Sequence, residues 1–175
     1  MDQDNRTYLR IPTKLHGRMR LLDFENEPQL FREAPITSAS VTVMELKNAG
    51  VNDALVNALV NLDRKLDMLI GLHSQDSLHD DFPHPIEAVE LSGAGIKLFT
   101  PMDLSVGQVV EVVLVLTQVP VRMASALGRV VRQEDMGGKK AWALDFAKIR
   151  DRDLESIVQF VFQTQRDELR ERKWT

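Results

Sequence analysis

The sequence predicts an α+β fold that is mainly β: a six-stranded antiparallel β-barrel with an inserted helix and a C-terminal helix. Three observations carry this. Six segments either alternate apolar and polar residues or run β-branched, as pleated strands do. Residues 52–72 break that pattern with leucines spaced 4, 3, 4 and 3 apart. The stretch from Asp151 onward returns to a helical period and ends in cations, which stabilise the negative end of a helix.

The first strand is residues 14–22, "KLHGRMRLL". Leu15, Gly17, Met19 and Leu21 fall on one face; His16, Arg18 and Arg20 fall on the other. An acidic loop punctuated by Pro28 and Pro35 follows. "VTVMELKNAG" reads as a short helix ending near Gly50. Leu55, Leu59, Leu62, Leu66 and Leu69 then form a heptad seam, widened by Val56, Val60 and Ile70 beyond what one partner helix covers. The seam runs over roughly 30 Å of helix. Asn52 is placed to cap it, with Asp53 favourable at the positive end. Residues 73–84, "HSQDSLHDDFPH", read as a polar linker. Strands follow at 86–92, 95–99, 108–116, 121–133 and 139–149, with "EDMGG" as the hairpin signal between the last two. Closing such a sheet removes its exposed edges. In the last helix Leu154, Ile157, Val158, Val161 and Phe162 form the buried face. Residues 1–175 are expected to be one domain, with 37–75 as a helical oligomerisation insertion within it.

Composition narrows the function. The chain has no Cys, which excludes disulfides and thiolate chemistry and makes the cytoplasm the expected compartment. The N-terminus has no apolar stretch of the kind a signal peptide carries, and no run is long enough to insert in a membrane. A net charge of -4 argues against DNA or RNA as partner. The charge is uneven, however: residues 1–20 hold five basic side chains against two acidic, and 23–33 hold one against four. A local positive patch on an acidic chain suits a small anionic ligand. His73, Asp76, His79, Asp80, Asp81 and His84 are the best metal candidates, but their spacing fits no site geometry and reads as a solvated loop. "SGAG" at 92–95 is neither a nucleophile elbow nor a dinucleotide loop. No catalytic residue, metal or cofactor is expected; the chain reads as a binder and not an enzyme.

Two short stretches carry the binding. "RTYLR" places Arg6 and Arg10 just before the first strand, and "ELSGAGIKL" at 90–98 contains Glu90, Ser92 and Gly95. In this order they resemble the two motifs of the PilZ domain family of bacterial cyclic di-GMP receptors, RxxxR and [D/N]xSxxG. Arg6 and Arg10 match the first. Ser92 and Gly95 match the second, while Glu90 stands where the family has Asp or Asn. The resemblance covers residues 5–22 and 86–172. The heptad segment between looks like the atypical tetrameric branch of the family, whose inserted helices assemble four subunits.

The resemblance implies a cyclic di-GMP-binding receptor or adaptor whose ligand orders the arginine arm over the barrel. It implies Arg6, Arg10, Glu90, Ser92 and Gly95 as the ligand set, a homotetramer held by Leu55, Leu59, Leu62, Leu66 and Leu69, and an unknown downstream protein, with pilus or flagellar regulation in view. The chemistry agrees. A guanidinium is planar and can grip guanine O6 and N7, bridge a phosphate or stack on a base. Glu90 keeps an acceptor for the guanine N–H edge, moved outward by about 1.5 Å. Gly95 is expected to free the turn for positive φ. The alternative is a degenerate adaptor of the same fold that binds no nucleotide.

Overall fold

The structure is a computed structural model that describes residues 8–24, 26–32, 43–118 and 120–173. In chain order it contains β1 (Arg10–Leu21), α1 (Val43–Asn48), α2 (Asp53–Asp81), β2 (His84–Ser92), β3 (Gly95–Phe99), β4 (Val109–Gln118), β5 (Val121–Met136), β6 (Lys139–Lys148) and α3 (Asp151–Lys173).

All ladders are antiparallel, and the strand order is β1-β2-β3-β6-β5-β4 with β4 returning to β1. This topology corrects the expected six-stranded antiparallel β-barrel in its strand order and in how fully its ends join. β3 pairs with β6 and not with β4. The ends of the sheet meet only where residues 17–21 of β1 face β4. Residues 10–16 pair with β2 alone among the described residues. Two features of β1 account for this. Pro12 has no N–H to offer a second neighbour, and a bulge between Pro12 and Leu15 re-aims the strand. Register shifts interrupt three further ladders. The result is a six-stranded antiparallel sheet that joins at one end and is open at the end where Arg10 lies.

The main core fills the inside of this sheet with Met19, Leu91, Leu98, Val112, Leu114 and Leu144. α3 packs against β1, β2 and β5 and contributes Ile157 and Val161. The hairpin signal is confirmed: Gly137 and Gly138 have φ of 63° and 81°, and Met136 pairs with Lys139 across them.

β4 is buried on both faces, which explains its nearly unbroken apolar run "VVEVVLVL". Its outer residues Val113 and Val115 join Met123, Leu78 and Phe82 in a second core, with Phe31 edge-on to Phe82 at 6.3 Å. Leu78 belongs to α2. The polar linker expected over 73–84 is therefore corrected: α2 continues to Asp81 and its last turns lie on the sheet. Close approach begins at Gly71, where a Cβ would run into the Val121 side chain. Arg18 fixes the end of the helix, donating to the carbonyl oxygens of Phe82 and Pro83 at 2.5 and 2.6 Å. At the other end Asn52 caps as expected, accepting from the Ala54 N–H at 2.8 Å. No helix among the described residues is long and apolar enough to cross a membrane.

The segment after β1 is strapped to the outside of β4 and β5 by buried polar groups. Glu111, fully buried in the apolar run, accepts from Arg20 Nε, from the Leu30 and Phe31 N–H groups and from Ser125 Oγ, all within 3.0 Å. Asp153 accepts from the Ser125 N–H at 3.0 Å. Burial raises the Asp153 carboxyl above its ordinary value, against the pull of that amide and of Arg150. Every lone pair so used relieves a desolvation cost that an unpaired buried carboxylate would carry in full.

Candidate functional site

The site is built from the open end of the sheet. Antiparallel pairing places Arg10 opposite Ser92, and Pro12 opposite Glu90, so two stretches some eighty residues apart become neighbours. Arg10, Glu90, Ser92 and Gly95 all line one shallow cleft that is open to solvent. The structure thus brings together four of the five expected ligand residues. Arg6 lies outside the described residues.

Each side chain has a definite task in this state. The Ser92 hydroxyl, 2% exposed, accepts from the N–H groups of Ala94 and Gly95 at 3.2 Å and donates to the Gly95 carbonyl at 3.3 Å. It folds the β2–β3 turn on itself. Gly95 does not adopt positive φ, which corrects the reason expected for it. The requirement is space: a Cβ there would collide with the Leu144 carbonyl oxygen of β6. Gly95 is the bare floor of the cleft. Tyr8, within the "RTYLR" stretch, lies against Gly93, where a Cβ would strike its ring.

Glu90 is engaged by two cations. Arg10 Nη1 lies 3.4 Å from one carboxylate oxygen and Lys97 Nζ 3.6 Å from the other. Lys97 stands opposite Glu90 across the β2–β3 ladder and is only 14% exposed. It also meets Glu134 of β5 at 2.9 Å, and Glu134 accepts from Arg132 Nε at 2.6 Å. The Lys97 ammonium first, and Arg132 second, hold the Glu134 carboxyl below its usual range. Sequence reasoning missed Lys97, Arg132 and Glu134. Their signal is the cross-strand register, which pairs Glu90 with Lys97, Lys97 with Ala143, and Ala143 with Arg132. A period-2 pattern gives the face of each residue but not its partner.

The seam leucines take no part in the core. Leu55, Leu59, Leu62, Leu66 and Leu69 are between 41% and 62% exposed. Of the flanking stripe, Val56 is buried and Ile70 is exposed.

The described residues thus form a curled antiparallel sheet with a polar, cation-bearing cleft. The PilZ domain model matches residues 67–163, more than half of the chain, and the chain belongs to that family. PilZ domains are receptor and adaptor modules without a catalytic step. The match starts inside α2 and includes Glu90, Ser92 and Gly95 but not the arginines. No curated protein matches the sequence. Among solved structures the chain is similar to the Bacillus subtilis inhibitor of motility MotI/DgrA, with a TM-score of 0.53 at 12% identity over 93% of this chain and 52% of that one. It thus spans about half of that protein's length. It is also similar to a pathogenic protein from Xanthomonas campestris described as a tetrameric PilZ domain self-assembled via an unusual helical bundle. There the TM-score is 0.57 at 16% identity, over 93% of this chain and 91% of that one. At such identities the likeness is one of fold.

Proposed function

We propose that this chain is a cyclic di-GMP receptor that acts as an oligomeric adaptor. Arg6 and Arg10 grip guanine or phosphate, Glu90 accepts from the guanine N–H edge, and Ser92 with Gly95 forms the turn on which the ligand rests. The observation that carries this is the convergence of Arg10, Glu90, Ser92 and Gly95 on one cleft. Nothing in local sequence brings Arg10 to Ser92; the β1–β2 register does. Ligand binding draws the arginine arm over the open end of the sheet and so changes the surface offered to a downstream protein.

The exposed leucine seam supports self-association, with a second, third and fourth copy of α2 as its cover. Five half-exposed leucines on one helix face are more apolar surface than a lone chain keeps without cause. The stripe is too broad for a two-stranded coil, and a four-helix bundle is the natural cover.

A second reading, an adaptor that binds no nucleotide, is favoured by one feature: Arg10 is already paired with Glu90. Thermal unfolding separates the two. A receptor gains stability with ligand as RT ln(1 + [L]/Kd), so cyclic di-GMP raises Tm in a concentration-dependent way and GMP does not. An unchanged Tm at saturating ligand leaves the adaptor reading.

A further inference from the structure

The cleft contains more cation than the two motifs account for, and those cations are occupied. Arg10, Glu90, Lys97, Glu134 and Arg132 form an unbroken chain of alternating charge from β1 to β5. Its tightest contacts are at the far end from the arginine motif. Lys97 and Arg132 approach the same Glu134 carboxylate, at 2.9 and 2.6 Å. The strands that carry them are separated by β6, and the residue in register between them is Ala143. Ala143 is small and buried, and the cations on either side of it meet on one anion.

That is the geometry of a phosphate cradle holding a carboxylate. An ammonium and a guanidinium converging on the two oxygens of one carboxylate can hold a phosphodiester, which carries the same single charge, with the same hydrogen bonds. Arg10, Lys97 and Arg132 line the cleft with Glu90 and Asp145, and Glu134, paired with Lys97 and Arg132, cancels the remaining positive charge that should draw a dianionic ligand. Partly exposed ion pairs of this kind are weak, so a phosphate can replace the carboxylate. Glu134 is on a strand three residues from the β5–β6 hairpin, and its side chain is 29% exposed.

We propose that Lys97 and Arg132 are a second pair of phosphate-binding cations of the nucleotide site, and that Glu134 occupies them in the free protein as an internal competitor that the ligand displaces. The proposal rests on the cyclic di-GMP reading and adds to it a brake on affinity. Glu134 sets how much ligand is needed before the site fills.

The test is calorimetric titration of the 175-residue chain with cyclic di-GMP, comparing wild type with Glu134→Gln, Lys97→Met and Arg132→Met. Circular dichroism verifies that each variant is folded. Glu134→Gln keeps the shape and removes the competing charge, so Kd falls about three- to tenfold. Lys97→Met and Arg132→Met raise Kd about tenfold or more. A silent wild type with a binding Glu134→Gln supports the proposal in its strongest form. Wild-type binding that Glu134→Gln leaves unchanged or weakens overturns the competitor and spares the receptor. Wild-type binding indifferent to Lys97→Met and Arg132→Met overturns the second cation pair. No binding by any variant overturns receptor and proposal together.

Discussion

Residues 53–70 and 71–81 belong to one helix, yet they live in different surroundings. In the first stretch the leucines recur every three or four residues and remain about half exposed. In the second, Leu78 is 6% exposed and Phe82, just past the helix end, is 1% exposed against β4 and β5. The division falls at Gly71, where the absence of a side chain lets the helix settle on Val121. Periodicity reports which face of a helix is apolar; it does not report what covers that face. The seam has the stronger pattern and no cover among the described residues, while the docked end has the weaker pattern and lies buried on β4 and β5.

The comparison can be broken most sharply from the docked side. Leu78→Ala removes a buried side chain from the second core and should cost about 2–5 kcal/mol of folding stability in urea unfolding. Equal stability of the variant and wild type would mean that the last turns of α2 do not hold the sheet. On the seam side, Leu62→Glu or Leu66→Glu should change the fold's own stability by no more than about 0.5 kcal/mol. The same change should disperse the assembly, because each substitution recurs in every subunit. Light scattering on wild type should give about four times 19.9 kDa, and on the variants a smaller mass. A wild type of one-chain mass at micromolar concentration would refute the bundle.

The smallest effect sharpens the account of the strap that carries Phe31 to Phe82. Burial raises the Asp153 carboxyl above 3.8, so just above that pH the native state retains a proton that the unfolded chain has released. Stability from this group is full below 3.8 and is lost as pH rises through the higher native value. Asp153→Asn keeps an acceptor for the Ser125 N–H and has no charge to bury. It should flatten the fall in stability in that window and leave stability at neutral pH equal or slightly higher. A slope as steep as in wild type would show that another group governs it.

Much of this was legible in the residues. Six strands, their alternation, the Asn52 cap and the Gly137–Gly138 hairpin follow from local rules, because local sterics and capping decide them. The pairing of β3 with β6 was not, since it depends on which edges meet in space. Nor was the true length of α2. "HSQDSLHDDFPH" is polar enough to pass for a linker, and only the outer face of β4 reveals why Leu78 and Phe82 are apolar within it. One signal was available and unread: Glu111 in the middle of "VVEVVLVL". A lone carboxylate in a run buried on both faces must be met by donors, and here they are Arg20, Ser125 and two backbone N–H groups. At the site, Arg10, Glu90, Ser92 and Gly95 were readable as motif residues. Lys97, Arg132 and Glu134 were not, because their meeting is a matter of register across β2, β3, β6 and β5.

The central claim, that the cleft receives cyclic di-GMP through the arginine motif, is tested most directly by titrating the ligand into wild type and Arg10→Ala in a calorimeter. The account predicts saturable heat in wild type and affinity about 10- to 150-fold lower in Arg10→Ala, the worth of one charge-assisted hydrogen-bonding group of about 1.5–3 kcal/mol. No heat from wild type at high ligand concentration, or equal affinity in both proteins, would contradict it.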